Sequence, residues 1–343
     1  MIPATLQNNP SLDRWVSFPN PGRVRVAVGK TEYGQGMLTG LAQIAADELD
    51  VAFERLDVVN LETGASPDEG LTVGSMSTEM SGASIRAACA ETRSLFAEAA
   101  ARRLGCDAGE IDVDDGAFLR AGATTGLDYW ALAAEVGLAR PPSEDVKPKS
   151  PAKHKLVGTS QPRIDLPPKL FGAAFLHDLA LPGMLHARVL RQPGPEAKLV
   201  RLDEAAVRRA AGAEIDILRK GEFVAFIGES ESAVSAAITA AEGLAEWDGA
   251  RDLSPALSET DSLKVLPSEA FPSGAPAPAD SNRRRLTASY GRPYIAHGSM
   301  GPSCGVAEMK DGKLTVWTHA QGVYPMRMML ARVCKVAPDN IHV

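Results

Sequence analysis

The sequence predicts an α+β fold, in which mixed α/β units are joined to separate β-rich pieces. Three observations predict this class. Residues 23–28 alternate between apolar and polar side chains as a half-buried strand does, and apolar residues at helical spacing follow over 37–49. A long helical pattern covers about 79–104. Asp311-Gly312 is a hairpin signal, and the strand-like run 313–319 follows it.

Shorter elements complete the pattern in chain order. Gly105 comes directly after the long helical pattern, where a glycine commonly ends a helix in the left-handed conformation. Apolar runs predict strands, and three-to-four-residue spacing predicts helices. The further strands are expected at 56–61, 184–190 and 223–227, and the further helices at 231–246 and about 325–336.

Composition divides the 343 residues into several segments. Hydrophobic residues make up 45% and charged residues 23%, which is ordinary for a globular protein large enough to bury more than one core. Stretches rich in proline and small residues suggest linkers between the more regular parts. The predicted segments are 1–145, a linker at 146–160, a second segment at 161–250, a linker at 251–285, and a third segment at 286–343.

The overall charge excludes one class of partner. The formal net charge is −7 and the isoelectric point is about 5.5, which argues against a nucleic-acid-binding protein. No apolar run approaches the roughly 20 residues of a membrane span. Residues 1–5 lack the basic and apolar regions of a secretion signal, so the sequence predicts a cytoplasmic protein.

The cysteines do not indicate a metal cluster. Cys89, Cys106, Cys304 and Cys334 are widely separated, and none forms a C-x-x-C pair. We expect each to be a small buried apolar residue. Electrons produced by a reaction in this protein would therefore have to leave through another chain.

The strand–turn–helix unit at 24–49 contains a candidate anion-binding loop. Glycines at positions 34 and 36 lie where the chain turns into a helix, and such a turn can present free backbone N–H groups and the positive end of the helix dipole to a phosphate or diphosphate. Gln35 adds a donor and an acceptor between the two glycines. On spacing alone, a tight turn without a ligand is the stronger alternative.

Two familiar phosphate-binding motifs are excluded in this region. Gly29-Lys30-Thr31 resembles the end of a P-loop, but Val24 occupies the position of the required upstream glycine. The G-x-G-x-x-G pattern of dinucleotide-binding folds fails because Thr39 replaces its third glycine. A nucleotide-binding dehydrogenase is therefore weakly supported.

A second candidate loop, Gly74-Ser75-Met76-Ser77-Thr78, lies directly before the long helix. Ser77 or Thr78 could simply cap that helix, and this is the stronger alternative for the loop taken alone. One cap does not account for three hydroxyl groups. Two loops with small polar groups at helix starts are what a large phosphorylated cofactor would need.

Other polar clusters give no catalytic signal. The histidines at positions 177, 186, 297 and 319 lack metal-ligand spacing, and structural or surface roles are expected for them. No G-x-S-x-G motif marks a hydrolase. Asp114-Asp115 precedes Gly116 and indicates a turn, and the arginines at 283–285 are expected in solvent. No metal ligand is predicted.

Taken together, the motifs resemble the xanthine dehydrogenase/aldehyde oxidase family, and within it the molybdopterin-binding large subunits of the isoquinoline 1-oxidoreductase and nicotinate dehydrogenase type. Residues 29–36 and 42–49 resemble that family's G-K-x-E-x-G-Q-G and Q-I-A-A-D-E-L block. The 74–78 loop resembles the hydroxyl-bearing loop that contacts the pterin. By this resemblance the cofactor-binding residues are Gly34, Gln35, Gly36, Gly74, Ser75, Met76, Ser77, Thr78 and Gln321.

The resemblance continues along the chain. Residues 162–169 and 177–186 resemble the start of the family's hammerhead domain, and 294–302 with 318–322 resemble the opening of the molybdenum-binding region. Gln321 matches a glutamine close to the metal's oxo group. The implied architecture is permuted. A segment with the G-Q-G loop comes first, the hammerhead-like domain at 161–250 follows, and the start of a second molybdopterin-binding segment lies at 286–343.

The resemblance also implies a reaction and its partners. Such enzymes hydroxylate an N-heteroaromatic ring or oxidise an aldehyde with oxygen from water, and a glutamate serves as base. The implied cofactor is molybdenum-molybdopterin cytosine dinucleotide. The implied partners are a small [2Fe-2S] subunit that carries the iron–sulfur clusters, and a cytochrome or other electron acceptor.

One departure from the family pattern limits this expectation. The family's base glutamate and a later glycine-rich loop have no match in this sequence, which ends at Val343. We therefore expect no catalytic residue in this chain, and a separate C-terminal half as a further partner. A non-catalytic protein that kept the cofactor fold and serves in binding or assembly is the alternative.

Overall fold

The computed structural model describes residues 2–59, 61–172, 175–249, 260–267, 269, 284, 286–293, 295, 297–299 and 301–343. The chain forms two compact units. One comprises Met1–Leu179 with Ser303–Val343, and the other comprises Ala180–Pro302. Among the described residues, no helix combines the length and the apolar character that crossing a membrane requires.

The first unit begins with a βαβ arrangement that confirms the predicted strand–turn–helix. Two strands pair in parallel, an antiparallel strand lies at the edge, and the connecting helix buries its apolar side. The parallel pairing requires such a crossover helix. The elements are α1 (Ala4–Asn8), β1 (Val16–Ser17), β2 (Val24–Ala27), α2 (Met37–Leu49) and β3 (Leu56–Val59).

The long helix α3 (Ser77–Leu104) packs along α2 and ends at Gly105, which has φ +64° as predicted. The helix starts two residues earlier than the sequence predicts, and the expected cap is wrong. Met76 holds the N-cap position, and no side chain caps the first turn. The hydroxyls of Ser77 and Thr78 lie inside that turn instead, because the chain reaches helical geometry before them.

A three-stranded antiparallel meander completes this part of the unit. Its elements are β4 (Ile111–Asp114), β5 (Ala117–Arg120), β6 (Ala123–Asp128) and the short helix α4 (Tyr129–Leu132). The predicted turn at Asp115-Gly116 is confirmed, with φ +45° and +81°. The Asp115 carboxylate also binds the Arg55 guanidinium at 2.6 Å.

Residues 146–157, here called the strap, lie against the C-terminal part of α2. The buried Asp47 carboxylate accepts backbone N–H groups from Lys155, Leu156 and Val157 at 2.9 to 3.3 Å. The buried Glu48 carboxylate accepts the Lys149 N–H at 3.1 Å. The helix therefore orders the strap through two buried carboxylates, because their oxygens satisfy backbone groups that would otherwise lack partners.

The short helix α5 (Leu166–Leu170) follows in the first unit. The second unit contains a three-stranded sheet in the order β7-β10-β9, a β8–β11 pair, and two helices packed on each other. The helix predicted at 231–246 ends at Leu244, where a strand begins. The elements are β7 (His186–Leu190), β8 (Lys198–Leu202), α6 (Glu204–Ala211), β9 (Asp216–Lys220), β10 (Phe223–Gly228), α7 (Glu231–Leu244), β11 (Ala245–Asp248) and α8 (Thr260–Lys264).

The last 41 residues return to the first unit. The hairpin predicted at Asp311-Gly312 is confirmed, with φ +50° and +76° at its two turn residues. The Tyr324 hydroxyl donates to the Ser66 carbonyl, and the Val343 N–H donates to the Thr63 hydroxyl at 3.0 Å. The elements are β12 (Gly305–Lys310), β13 (Lys313–Thr318), α9 (Val323–Cys334) and β14 (Ile341–His342).

Some sequence expectations are corrected or fall outside the described residues. Cys89 is buried as expected, but Cys334 is exposed because it ends α9 on its solvent side. Parts of the predicted 251–285 linker and of the 294–302 block are not described, and neither are Arg283 and Arg285.

Asp47→Asn tests the role of the strap. Burial raises the pKa of the Asp47 carboxyl, but the hydrogen bonds from the strap outweigh this effect, so the pKa is lowered overall. A lowered folded-state pKa stabilises the fold above the unfolded pKa of about 3.9, and that contribution is lost as pH falls through the folded value. We expect the substitution to lower the free energy of unfolding by about 1–3 kcal/mol at pH 7.

Urea unfolding at several pH values measures this effect. The difference in the free energy of unfolding between wild type and Asp47→Asn should decrease as the pH drops below about 4. Asp145→Asn, at an exposed position, is the matched control and should change little. A gap independent of pH would contradict the assigned role.

Candidate cofactor site

The first candidate loop begins directly after β2 and is anchored before it reaches the glycines. A side chain at Gly29 would lie 2.3 Å from the Pro67 carbonyl oxygen, so only glycine fits there. The Lys30 side chain is buried, and its Nζ donates to the Glu69 and Leu71 carbonyls at 2.7 and 2.9 Å. Lys30 therefore joins this loop to residues 69–71 instead of reaching toward a phosphate.

The Gly34–Gly36 turn already holds an anion from its own chain. The Glu32 carboxylate accepts N–H groups from Gly34 and Gly36 at 2.9 Å, and from Leu38 at 3.2 Å. These are the backbone donors at the start of α2 that the sequence predicts to be free for a phosphate, and in this structure that expectation is wrong. The carboxylate lies where the helix dipole favours negative charge.

Gln35 and Arg163 fix the shape of the same turn. The Gln35 amide oxygen accepts the Tyr33 N–H, and its Nε2 donates to the Thr31 carbonyl, both at 2.8 Å. Arg163 donates from Nη1 to the Gly34 carbonyl at 3.1 Å and pairs with Asp165 at 2.6 Å. Gln35 therefore organises the loop here, and its assignment as a cofactor contact stays a prediction.

The second candidate loop presents hydroxyl groups without protein partners. Gly74 and Ser75 have φ of +67° and +57°, which turns the chain sharply before α3. Ser75 and Thr78 are exposed, Ser77 is half-buried, and their hydroxyls form no hydrogen bond with the described residues. These groups are available to a ligand.

A buried carboxylate positions this loop on α3. The Glu69 carboxylate accepts the Ser81 hydroxyl and the Gly29 N–H at 2.9 Å, and Glu69 is 6% exposed. Burial raises the pKa of the Glu69 carboxyl above its ordinary value, although these hydrogen bonds and the nearby Lys30 ammonium oppose the shift. Glu69 thus joins the first candidate loop to α3, the helix that the second candidate loop precedes.

Thr72 brings three distant segments together. Its N–H donates to the Gln321 carbonyl at 2.8 Å, and its hydroxyl accepts the Thr31 N–H at 2.8 Å. Its own carbonyl accepts the Gln321 Nε2 at 3.1 Å and the Tyr33 hydroxyl at 3.0 Å. Thr72 itself is 2% exposed, although the side chains of Tyr33 and Gln321 reach the surface. The segments around 31, 72 and 321 are therefore one structural site.

Close backbone approach reinforces this junction. A side chain on Gly322 would place its Cβ 2.8 Å from the Gly70 carbonyl oxygen. The Thr31 hydroxyl also donates to the Ala320 carbonyl at 3.1 Å. The 320–322 turn therefore packs directly against Thr31 of the first candidate loop and against residues 70–72, which precede the second. Around it, large apolar side chains are exposed, namely those of Tyr33, Leu71, Val73 and Met76.

The structure thus brings together the segments named from sequence and adds residues that sequence reasoning missed. Glu32 lies in the G-K-T-E-Y-G-Q-G block, but nothing in its spacing marks it as a carboxylate that accepts the loop's own N–H groups. Thr72 and Glu69 lie in no motif, and Arg163 lies in the 162–169 block, whose resemblance to the hammerhead domain gave no sign of its contact with Gly34. No group of three or more potential metal-binding side chains occurs in the part of the chain that the structure describes.

One family model matches the first part of the chain. Residues 2–160 match the molybdopterin cofactor-binding domain family. Both candidate loops lie within this matched segment, whereas Gln321 lies outside it.

Three relatives are similar over different lengths. A nicotinate dehydrogenase subunit from Pseudomonas putida is 30% identical over 92% of this chain and 28% of its own length. The beta subunit of isoquinoline 1-oxidoreductase from Brevundimonas diminuta is 29% identical over 68% of this chain and 36% of its own. The gamma subunit of the 6-hydroxypseudooxynicotine dehydrogenase complex from Paenarthrobacter nicotinovorans is 37% identical over 37% of this chain and 16% of its own length. The chain thus spans about a third of the first two relatives.

Gly322→Ala tests the contact between the 320–322 turn and the first two loops. The added Cβ cannot fit against the Gly70 carbonyl, so the free energy of unfolding should fall by about 1–3 kcal/mol. Gly40→Ala is the matched control, because that helical position has open space and should be neutral or slightly stabilising. Urea unfolding of both variants gives the comparison, and equal stability of the two would contradict the contact.

Glu32→Ala tests the internal anion. Removing the carboxylate leaves three N–H groups without an acceptor, and the free energy of unfolding should drop by about 1–3 kcal/mol. Added acetate or phosphate should restore part of this loss in the variant and have no such effect on wild type, because the vacated turn is then a helix N-terminal anion site. Thermal unfolding with and without the anion measures the rescue.

The control for this experiment is Glu54→Ala, at an exposed carboxylate with no side-chain hydrogen bond in the described structure. It should show neither the loss nor the rescue. Rescue of wild type and variant to the same extent would mean that the anion acts elsewhere.

Proposed function

Because this chain belongs to the molybdopterin-binding subunits of the nicotinate dehydrogenase and isoquinoline 1-oxidoreductase type, we propose that it forms the pterin-holding part of a molybdenum hydroxylase. The observation that carries the proposal is the junction at Thr72. Thr72, two residues before the second candidate loop, joins Thr31 and Tyr33 of the first loop to Gln321, which lies 249 residues further along the chain.

The available donors and acceptors fit a polar cofactor. The hydroxyls of Ser75, Ser77 and Thr78 have no protein partners among the described residues and lie at the start of a long helix. We assign them to the pterin, with Gly74 and Met76 shaping their loop. The Gln321 Nε2 donates to the Thr72 carbonyl. The position of Gln321 in the sequence matches the family's glutamine near the metal. Bound molybdenum-pterin supplies the two-electron oxidation.

The G-Q-G turn has a different role in this proposal from the one expected from sequence. Its backbone N–H groups donate to the Glu32 carboxylate. The turn formed by Gly34, Gln35 and Gly36 therefore acts mainly by fixing the conformation of the loop that contains Tyr33. Tyr33 is half-exposed, and its hydroxyl binds the Thr72 carbonyl. The loop would thus contact the cofactor with its side chains, and not with the backbone N–H groups of the turn.

The other parts of the proposal rest on the family resemblance of the sequence. The architecture is the permuted one, with a hammerhead-like domain at 161–250 and the start of a second molybdopterin-binding segment at 286–343. The cofactor is the cytosine dinucleotide form, and iron–sulfur clusters reside on a small partner subunit that passes electrons to a cytochrome or another acceptor. The assembled enzyme acts on an N-heteroaromatic or aldehyde substrate in the cytoplasm.

Gln321→Ala in the assembled protein tests the proposal. With the chain co-expressed with its partner subunits, we expect molybdenum and released cytidine monophosphate to copurify with wild type. The variant should retain several-fold less of both, because it loses the amide at the junction and near the metal. Metal analysis by mass spectrometry and nucleotide release by acid hydrolysis provide the two readouts.

Gln192→Ala, an exposed glutamine in the other compact unit, is the matched control and should load normally. Absence of molybdenum from the fully assembled wild type would overturn the proposal. That result would favour the alternative, a non-catalytic binding or assembly protein.

A further inference from the structure

A cleft lies at the opposite end of α2 from the G-Q-G turn. It has a volume of about 820 Å³ and is bordered by α3, the strap and β4. Asp50, which ends α2, lines it, whereas Gly36 starts the same helix. A helix of 13 residues is about 20 Å long, so the cleft is separate from the loops around Thr72.

Cations dominate one side of this cleft. The strap supplies most of them, and α3 supplies one. The carboxylate of Asp50 is already neutralised, because Lys149 and Lys155 lie 2.6 and 3.1 Å from it. The cationic side chains that line the cleft are Arg93, Lys147, Lys149, Lys153 and Lys155.

Arg93 lacks the partners that a largely buried guanidinium normally has. Its side chain is 27% exposed, and its Nε is fully buried with no acceptor. The nearest carboxylate oxygens, of Glu48 and Asp50, are 3.9 and 4.0 Å away, beyond hydrogen-bonding distance. Buried polar atoms are nearly always satisfied, so an unpaired arginine donor beside a cleft indicates a missing anion or water.

Two lysines of the strap also lack an ion-pair partner among the described residues. Lys147 and Lys153 are exposed, and neither forms an ion pair within the described ranges. Opposite them, Asp112 and Asp114 on β4 limit the anionic charge that the cleft can accept. A single anionic group with two negative charges, bound between Arg93 and these two lysines, is consistent with the three cations and with the two aspartates.

The remaining lining is mostly apolar, with one hydroxyl and one imidazole. It consists of Ala90, Ser94, Ala97, Ala108, Ile111, Val113, Leu119, Val146, Ala152 and His154. A cleft of about 820 Å³ is far larger than a single phosphate needs and lies in the range of small-molecule sites. Apolar lining beside clustered cations suits a ligand that has a flat or apolar body and one strongly anionic end.

We propose that this cleft binds a phosphorylated, ring-bearing small molecule of nucleotide size, with Arg93 as the principal phosphate ligand and Lys147 and Lys153 as supporting charges. Arginine matches phosphate geometry through two parallel N–H groups, which makes it the stronger anchor. The site is independent of the proposed molybdenum chemistry, so it can be tested on the purified chain without the metal.

Isothermal titration of the full chain with adenosine monophosphate, cytidine monophosphate, pyrophosphate and adenosine tests this. We expect at least one nucleotide to bind, and adenosine, which lacks phosphate, to bind much more weakly. Arg93→Met should weaken nucleotide binding by about tenfold or more. The double variant Lys147→Ala/Lys153→Ala should weaken it several-fold and reduce its dependence on salt.

Arg102→Met is the matched control, because it removes the same charge from an exposed position of α3 outside the cleft. It should leave binding unchanged. The exposed lysine variants keep the test valid if Arg93→Met fails to fold. The proposal is overturned if no nucleotide binds wild type, if adenosine binds as tightly as its monophosphate, or if both cleft variants bind as wild type does. Tight binding of pyrophosphate alone would overturn the nucleotide-sized body.

Discussion

The fold of the candidate site depends on the hydrogen bonds of one buried residue, Thr72. Its N–H, its carbonyl and its hydroxyl each bind a segment that is remote in sequence. Because the residue is shielded from water, losing one of these bonds would leave a buried polar group unsatisfied. The loops before α2 and α3 are thereby held together with the 320–322 turn, although nearly 300 residues separate the first from the last.

Buried carboxylates organise the protein around this junction. Glu69 joins the first candidate loop to α3, and the Glu32 carboxylate occupies the anion position at the start of α2. At the other end of α2, Asp47 and Glu48 hold the strap. A helix flanked in this way has one end fixed against the proposed cofactor site and the other fixed against the cationic cleft. The two sites therefore share a rigid element while using different residues.

Much of this arrangement could be predicted from the sequence, but its decisive contacts could not. Periodicity located α2, α3 and the hairpin at Asp311, because those patterns depend on local geometry. The family resemblance placed Gln321 near the pterin loops. No local pattern could reveal Thr72, since its partners lie far away in the chain. The capping prediction for Ser77 and Thr78 was wrong because spacing does not determine which residue first leaves helical geometry.

The most direct measurement of the central claim compares Thr72→Val with Thr72→Ser in the assembled protein. Valine keeps the shape of threonine but removes the hydroxyl that accepts the Thr31 N–H, whereas serine keeps it. We expect the valine variant to retain several-fold less molybdopterin than wild type and the serine variant to retain nearly as much as wild type. Equal cofactor content in all three proteins, each fully folded, would contradict the claim that this junction forms the cofactor site.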